Sequence, residues 1–121
     1  MKIKTSELTG AALDWAVAKC ENWGRISVFH GDITQVMVSN KKDSCHWFNP
    51  SGNWGQGGPI IEREKINLAF GGRWWASYDH PEHVVWERAA ACGDTPLIAA
   101  MRCYVAAKLG NEVDIPEELL K

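Results

Sequence analysis

The sequence predicts an α+β fold, in which two main helices, at about residues 9–22 and 96–109, pack on a small, mostly antiparallel sheet. Apolar residues recur at helical spacing in both segments. Short runs rich in β-branched and aromatic residues lie between them, separated by turn residues. With 121 residues, the chain is predicted to form a single domain, residues 1–121.

The first helix is predicted to begin after Thr9, a residue type that suits the N-cap. Asp14 falls in the early turns, where a carboxylate favours the helix dipole. Trp15 lies off the apolar stripe and is a candidate for the lip of a pocket. Gly24 is a suitable residue to end the helix. The apolar stripe consists of Ala12, Leu13, Ala16, Val17 and Cys20.

One extended region is predicted before this helix and another after it. Residues 2–4 predict an extended lead-in. Residues 25–39 alternate apolar and polar side chains and are rich in β-branched residues, which is typical of strands. Gly31 and Asp32 interrupt this pattern and predict the turn of a hairpin.

Further strands are predicted in the second half of the chain. Residues 59–68 form an apolar, extended run, and the pair Gly71-Gly72 predicts a turn into a strand at 73–78. Residues 84–92 fit either a strand or a short helix, and the three alanines at 89–91 favour the helix.

The segment between residues 39 and 59 predicts a long Gly/Trp-rich loop. Loops of this length in compact domains are often functional. Its glycines permit close approach of another group, and Pro59 marks where the chain becomes extended. We expect the centre of a binding site at Asn53–Glu64.

The second main helix has clear boundaries. Thr95 suits the N-cap, and Pro96 suits the first helical position, where its missing N–H has no cost. Gly110 ends the helix, and residues 112–115 predict an extended exit.

Composition excludes several classes of protein. The formal net charge of −2 argues against a dedicated nucleic-acid binder. No apolar run approaches the roughly 18 residues of a membrane helix, and no secretion signal is present. We therefore expect a cytoplasmic protein that is not bound to a membrane. The four cysteines form no C-x-x-C pair and are predicted to be reduced thiols.

The residues do not point to a catalytic or metal site. His80 and His83 resemble half of a metal site, but Pro81 breaks any helix through them. The glycine-rich segment lacks the Gly-Lys-Ser/Thr ending of a phosphate-binding loop. Glu62 and Glu64 could form an acid–base pair, although a solvated charged edge is commoner. We therefore favour a protein without enzymatic activity, cofactor or metal.

Binding is the function that the residues favour. Seven tryptophans in so short a chain exceed what one core needs, and indoles at a boundary suit a pocket or an interface. Glycine N–H groups can cradle an anion, arginines can clamp a phosphate, and indoles can stack on a nucleobase. The candidate ligand-binding residues are Trp54, Gln56, Gly57, Gly58, Arg63, Arg102, Trp15, Asn53 and Trp74.

Three blocks of the chain resemble the NinX proteins of lambdoid bacteriophages. They are KTSELTGAALDWAVA at 4–18, WGQGGPIIERE at 54–64, and TPLIAAMRCYVA at 95–106 with its KLG ending at 108–110. The resemblance implies a small accessory protein that is encoded by a tailed phage or prophage and expressed in the cytoplasm of the bacterial host. It supplies neither a fold nor a catalytic mechanism.

Two functions follow as hypotheses. The first is the sequestration of a small, nucleotide-like anionic ligand, which would remove a host immune signal. The alternative is a protein-interaction module that binds and modulates a host protein, since Trp and Arg are frequent interface anchors. The small-residue face of the first helix and the surplus of aromatic residues also suit a homodimer or higher homo-oligomer.

Overall fold

A computed structural model describes residues 1–40, 45–78 and 90–120 of the chain. The α+β class is confirmed, with helices and small antiparallel sheets that pack around one core. The described strands form three separate sheets, where the sequence predicted one. The histidines at 80 and 83 and the undecided segment 84–89 lie outside the described residues.

The first predicted helix is present as α1, Gly10–Cys20, with Thr9 at its N-cap. It ends earlier than expected, because Asn22 adopts the left-handed conformation (φ 58°) that the sequence assigned to Gly24. The small residues Ala12, Ala16 and Ala18 are buried inside the protein. That face is therefore not free to form the dimer interface that the sequence predicted.

The second predicted main helix, Pro96–Leu109, is confirmed and forms the centre of the fold. The Oγ1 atom of Thr95 accepts a hydrogen bond from the N–H of Ile98 at 3.1 Å, and Gly110 (φ 93°) follows the last turn. The helix packs on α1 and on the strands of one sheet. Its fully buried side chains are Ala99, Ala100, Met101, Cys103 and Val105.

Two of the sheets contain the strands of the first half of the chain, and one of them also contains a strand from near its end. Strand β1 (Lys2–Lys4) pairs with the strand at Glu112–Asp114, which closes the two ends of the chain against each other. The predicted hairpin is confirmed as β2 (Arg25–His30) and β3 (Thr34–Ser39), and β4 (Cys45–Phe48) pairs with the other side of β3. Strand β4 lies within the segment predicted as a loop.

The third sheet contains β5 (Ile66–Phe70), β6 (Trp74–Tyr78) and β7 (Ala90–Gly93). The predicted turn at Gly71-Gly72 joins β5 to β6. Alanine propensity favoured a helix at residues 89–91, but Ala90 begins a strand. Pairing with β6 satisfies its backbone, and tertiary contacts override a weak local preference.

The prediction of a long loop that becomes extended at Pro59 is wrong, because Trp54–Glu64 is a helix, α2. The Oδ1 atom of Asn53 caps it by accepting from the N–H of Gly55 at 2.8 Å. Ile60 is buried on its inner face. Packing thus stabilises a helix whose glycines and proline disfavour it locally. The remaining helix and strand, in chain order, are α3 (Pro96–Leu109) and β8 (Glu112–Asp114).

Candidate binding cleft

A cleft of about 140 Å³ opens between the N-terminal end of α1, the start of β3 and the turn that follows β4. Its walls combine an indole, a carboxyl group, amide side chains and helix backbone. The residues that supply these groups are Gly10, Asp14, Gln35, Trp47 and Asn49, and Ile33 adds an apolar side chain.

Trp47 forms the aromatic wall of the cleft. Alternation along β4 directs Phe48 into the core and leaves Trp47 outside, with 47% of its surface exposed. Trp47 lies opposite Met37 in the sheet, and its ring meets that of Phe29 edge-on at 5.6 Å between centroids. One flank of the indole is thereby supported while the rest remains open to a ligand.

The N-terminal end of α1 supplies backbone donors. Thr9 has the extended backbone of an N-cap, but its side chain makes no capping hydrogen bond. Gly10 lines the cleft and has a φ of 55°, a conformation that glycine adopts without strain. The first N–H groups of a helix have no partner within it and carry partial positive charge. This end of the cleft therefore favours an anionic group.

Asp14 is the buried polar group of the cleft, with only 4% of its surface exposed. Its Oδ1 atom accepts a hydrogen bond from the N–H of Ser51 at 3.0 Å. Burial raises the pKa of Asp14 to about 6, against the opposing effect of the hydrogen bonds from Ser51. The expected helix-dipole role is wrong, since Asp14 lies beyond the first turn.

Asp14→Asn is expected to raise the free energy of unfolding by roughly 1–3 kcal/mol at pH 8, and to have little effect near pH 4. The folded state holds the Asp14 proton more tightly than the unfolded chain, so the carboxyl group stabilises the fold at low pH. That contribution is lost as the pH rises through about 6. Urea denaturation of both proteins at the two pH values measures the difference. An equal difference at both would contradict the raised pKa.

Three predicted ligand-binding residues, Asn53, Gln56 and Gly57, do not line the cleft, and Gln56 supports two residues that do. The Gln56 side chain accepts from the N–H of Asn49 at 2.6 Å and donates to the carbonyl of Trp47 at 2.7 Å. The N–H groups of Gln56 and Gly57 donate to the carbonyl of Asn53. Helix formation therefore gives intrahelical or capping partners to N–H groups that the sequence predicted to cradle an anion.

Trp54 and Arg63 do not share a concavity. Trp54 is 55% exposed at the start of α2, whereas Arg63 lies near its end. Nine residues of helix separate them by about 14 Å and place them on opposite faces. Gly58, between them, faces open space, with only the Trp54 ring near the position of an added Cβ.

Arg63 connects α2 to the end of α1 and to α3 through its side chain. Its guanidinium group makes a two-pronged ion pair with Glu21, at 2.7 and 3.0 Å, and a further one with Glu64 at 3.0 Å. It also donates to the Tyr104 hydroxyl at 3.1 Å. Burial opposes the charge on Glu64, but hydrogen bonds from Arg63 and Tyr78 hold the pKa of its carboxyl group below the usual value. Carboxylates of the chain itself thus occupy the position predicted for a phosphate.

Arg102 is buried, with 8% of its surface exposed. Its Nε donates to the carbonyl of Leu8 and its Nη1 to the carbonyl of Cys92, both at 2.8 Å. Burial lowers the pKa of this guanidinium group. Arg102 thereby joins the N-terminal segment, 94 positions away at Leu8, to β7.

Trp15 and Trp74 are half-buried and do not line the cleft. The ammonium group of Lys19 lies 5.6 Å from the centroid of the Trp15 ring. Trp74 packs against the core and meets Phe70 edge-on at 5.3 Å. The structure does not bring these indoles together with Trp54.

Two other clefts carry arginines but are less suited to an anion. One, of about 280 Å³, contains Arg63 beside its ion-pair partner Glu21. The other, of about 220 Å³, contains Arg102 and also Glu112. In both, groups of the chain already accept hydrogen bonds from the arginine: a carboxylate in the first and two backbone carbonyls in the second. The cleft beside Trp47 instead offers unengaged backbone donors and an open ring.

Sequence reasoning missed Trp47, Asn49 and Gln35 as candidate residues. An indole at an outward position of a strand was the available signal, but residues 45–48 were assigned to a loop. Asp14 carried a second signal, since it lies between Leu13 and Ala16 in a stripe of small apolar residues. A carboxyl group in that position is either buried with a partner or functional.

Metal-binding and membrane-spanning features are not found in the described chain. Within residues 1–40, 45–78 and 90–120, no three or more His, Cys, Asp or Glu side chains are grouped to hold a metal ion. No helix in those same ranges is long and apolar enough to cross a bilayer.

The fold and the cleft define a small α+β protein with a surface cleft that combines an aromatic wall with polar groups. The family model for bacteriophage P22 NinX matches residues 4–108, which is most of the chain. The protein belongs to this NinX family, as the three sequence blocks predicted. No curated protein matches the sequence.

Proposed function

We propose that this phage protein binds a small, nucleotide-like anionic ligand and holds it without altering it. The observation that carries the proposal is the cleft in which an exposed indole, an uncapped helix N-terminus and a buried carboxyl group meet. We place its action in the cytoplasm of the bacterial host. There it would sequester a nucleotide-derived immune signal and so counter host defence.

Each part of such a ligand has a matching group in the cleft. A base would stack on Trp47, an interaction worth ~1–3 kcal/mol. A phosphate would lie at the N-terminal end of α1. Asp14, Gln35 and Asn49 offer hydrogen-bonding groups to the edge of a base. The cleft is smaller than the ~300–1,000 Å³ of typical ligand pockets, so it would hold one ring while the rest lies on the surface.

The lining of the cleft favours binding over turnover. Among the described residues that form its walls, Asp14 is the only side chain that titrates. Acid–base chemistry usually needs a second group within hydrogen-bond reach. A cleft with one carboxyl group and no nucleophile–base pair suits a sequestering protein.

Titration with cyclic dinucleotides, cyclic trinucleotides and ADP-ribose derivatives tests the proposal. Calorimetric heat should appear for at least one of them, and Trp47→Ser should weaken that binding at least ~10-fold, as expected from loss of one stacking interaction. Trp75→Ser is the matched control, because Trp75 is 49% exposed but lies on another sheet. No heat with any compound at high micromolar concentration would refute the proposal, as would equal effects of the two substitutions.

A second candidate is a module that binds and modulates a host protein. Exposed apolar side chains around and beyond the cleft favour it, since aromatic residues are frequent anchors at protein interfaces. They are Phe29, Ile33, Trp54, Phe70 and Trp75. Purification from host lysate with the natural protein and with Trp54→Ser separates the candidates. A stoichiometric protein partner that the substitution releases, together with no nucleotide binding, would favour this second function.

A further inference from the structure

Within the described part of the chain, strand β2 forms one edge of its sheet. Among the described residues it pairs only with β3, which leaves the other side of its six residues without strand partners. Edge strands are usually protected by proline, by bulges or by several charges. Strand β2, with the sequence RISVFH, has neither proline nor glycine, and its arginine stands at one end. Such an edge can accept another strand.

We propose that β2 pairs with β2 of a second copy of this chain, in an antiparallel arrangement with a two-fold axis through Val28. The two three-stranded sheets then form one sheet of six strands. In this register Val28 faces Val28, and Ser27 faces Phe29 of the second copy. Residues that face each other across an antiparallel pair lie on the same side of the sheet, so both core faces remain on one side.

Charge complementarity identifies the second copy as the occupant. In the proposed register Arg25 faces Gly31 of the second copy and comes next to its Asp32. Both Arg25 and Asp32 are exposed, and neither has an ion-pair partner within the described chain. The two-fold axis generates this opposite-charge pair twice. A self-complementary patch of this kind is what a symmetric dimer requires.

Pairing would also join the apolar side chains on the outer faces of the two sheets. Phe29, Met37 and Trp47 lie on the outer face, and pairing of β2 places the same three side chains of the second copy on the same side. It also brings the second copy's Arg25 to the turn that contains Ile33, at the mouth of the cleft. The dimer itself does not depend on the proposed ligand.

Light scattering coupled to gel filtration, with sedimentation equilibrium for the dissociation constant, tests the dimer. The natural protein should show twice the 13.5 kDa mass of one chain at high micromolar concentration. Arg25→Asp should weaken association at least ~10-fold, because it places like charges beside each other, and Asp32→Arg should do the same. The double substitution Arg25→Asp with Asp32→Arg should restore association to within ~3-fold of the natural protein.

Circular dichroism controls for folding, since both side chains are exposed and the variants should unfold at the temperature of the natural protein under monomeric conditions. A natural protein that remains a monomer throughout the concentration range would overturn the inference. A dimer that both single substitutions leave unchanged would also overturn it, because another surface would then form the interface. If the single substitutions merely destabilised the fold, the double variant would not recover association.

Discussion

Arg102→Met is expected to lower the free energy of unfolding by about 4 kcal/mol. The guanidinium group is buried and donates to the carbonyls of Leu8 and Cys92. Methionine keeps helix propensity and much of the side-chain volume, but leaves both carbonyls without this donor. Each such loss costs about 1–3 kcal/mol in a buried site. Urea denaturation at pH 7 measures the change.

Arg63→Met is the control for this substitution. The Arg63 side chain is 50% exposed, so its ion pairs compete with water and contribute much less, about 1 kcal/mol. Added salt should reduce the effect at Arg63 and leave that at Arg102 nearly unchanged. If Arg102→Met unfolded at the same urea concentration as the natural protein, the structural role of the buried arginine would be refuted.

Gly57→Ala is expected to lower the free energy of unfolding by about 2–3 kcal/mol. A Cβ atom at this position would collide with the carbonyl oxygen of Pro50 and lie 2.6 Å from Cδ2 of Leu97. The first obstacle is backbone, so α2 must move away from the core to relieve it. Overpacking of this kind usually costs about 1–3 kcal/mol. The thermal midpoint and the urea midpoint should both fall.

Gly58→Ala, at the adjacent position, is the control and should change the free energy of unfolding little. Apart from its chain neighbours, the nearest atom to its added Cβ is in the Trp54 ring at 3.9 Å, which is ordinary contact. Alanine inside a helix is favoured over glycine by about 0.5–1 kcal/mol, but the ring of Pro59 disfavours helical backbone in a preceding residue that carries a Cβ, which offsets this gain. A large loss at Gly57 beside a small effect at Gly58 follows from a packed helix. Equal small effects would indicate the flexible loop that the sequence predicted.

The helices α1 and α3 and both hairpins could be predicted because their signals are local. Thr95, Pro96 and Gly110 mark the two ends of α3 by their own backbone preferences. Gly31-Asp32 and Gly71-Gly72 mark turns in the same way. In each of these segments local preference and tertiary packing agree, so a reading of neighbouring residues is sufficient.

The helix α2 could not be predicted because local preference and packing disagree there. Gly55, Gly57, Gly58 and Pro59 all lower helix propensity. The reason for Gly57 is the closeness of Pro50 and Leu97, which are seven and forty positions away in the sequence numbering. A contact of that range leaves no local pattern. Because this helix was predicted as a loop, the candidate ligand site was placed on a segment that supports the fold.

The candidate site depended even more on the tertiary structure. Arg63 and Arg102 have the chemistry of phosphate clamps, but Glu21 and two carbonyl groups already hold them. Trp47 and Asp14 are 33 positions apart, and only the packing of the sheet that contains β4 against α1 brings them to one cleft. Residue type predicts what a side chain can bind, whereas its neighbours determine what it does bind.

The sequence by itself determined the α+β class, the family, the presence of both main helices and the two ends of α3, because these depend on residue order, periodicity and backbone preference. The tertiary structure alone decided that residues 54–64 are helical, which arginines are engaged, and where an open indole meets an uncapped helix end. These outcomes depend on free energies of contact between distant segments. Such contacts exist only once the chain is folded.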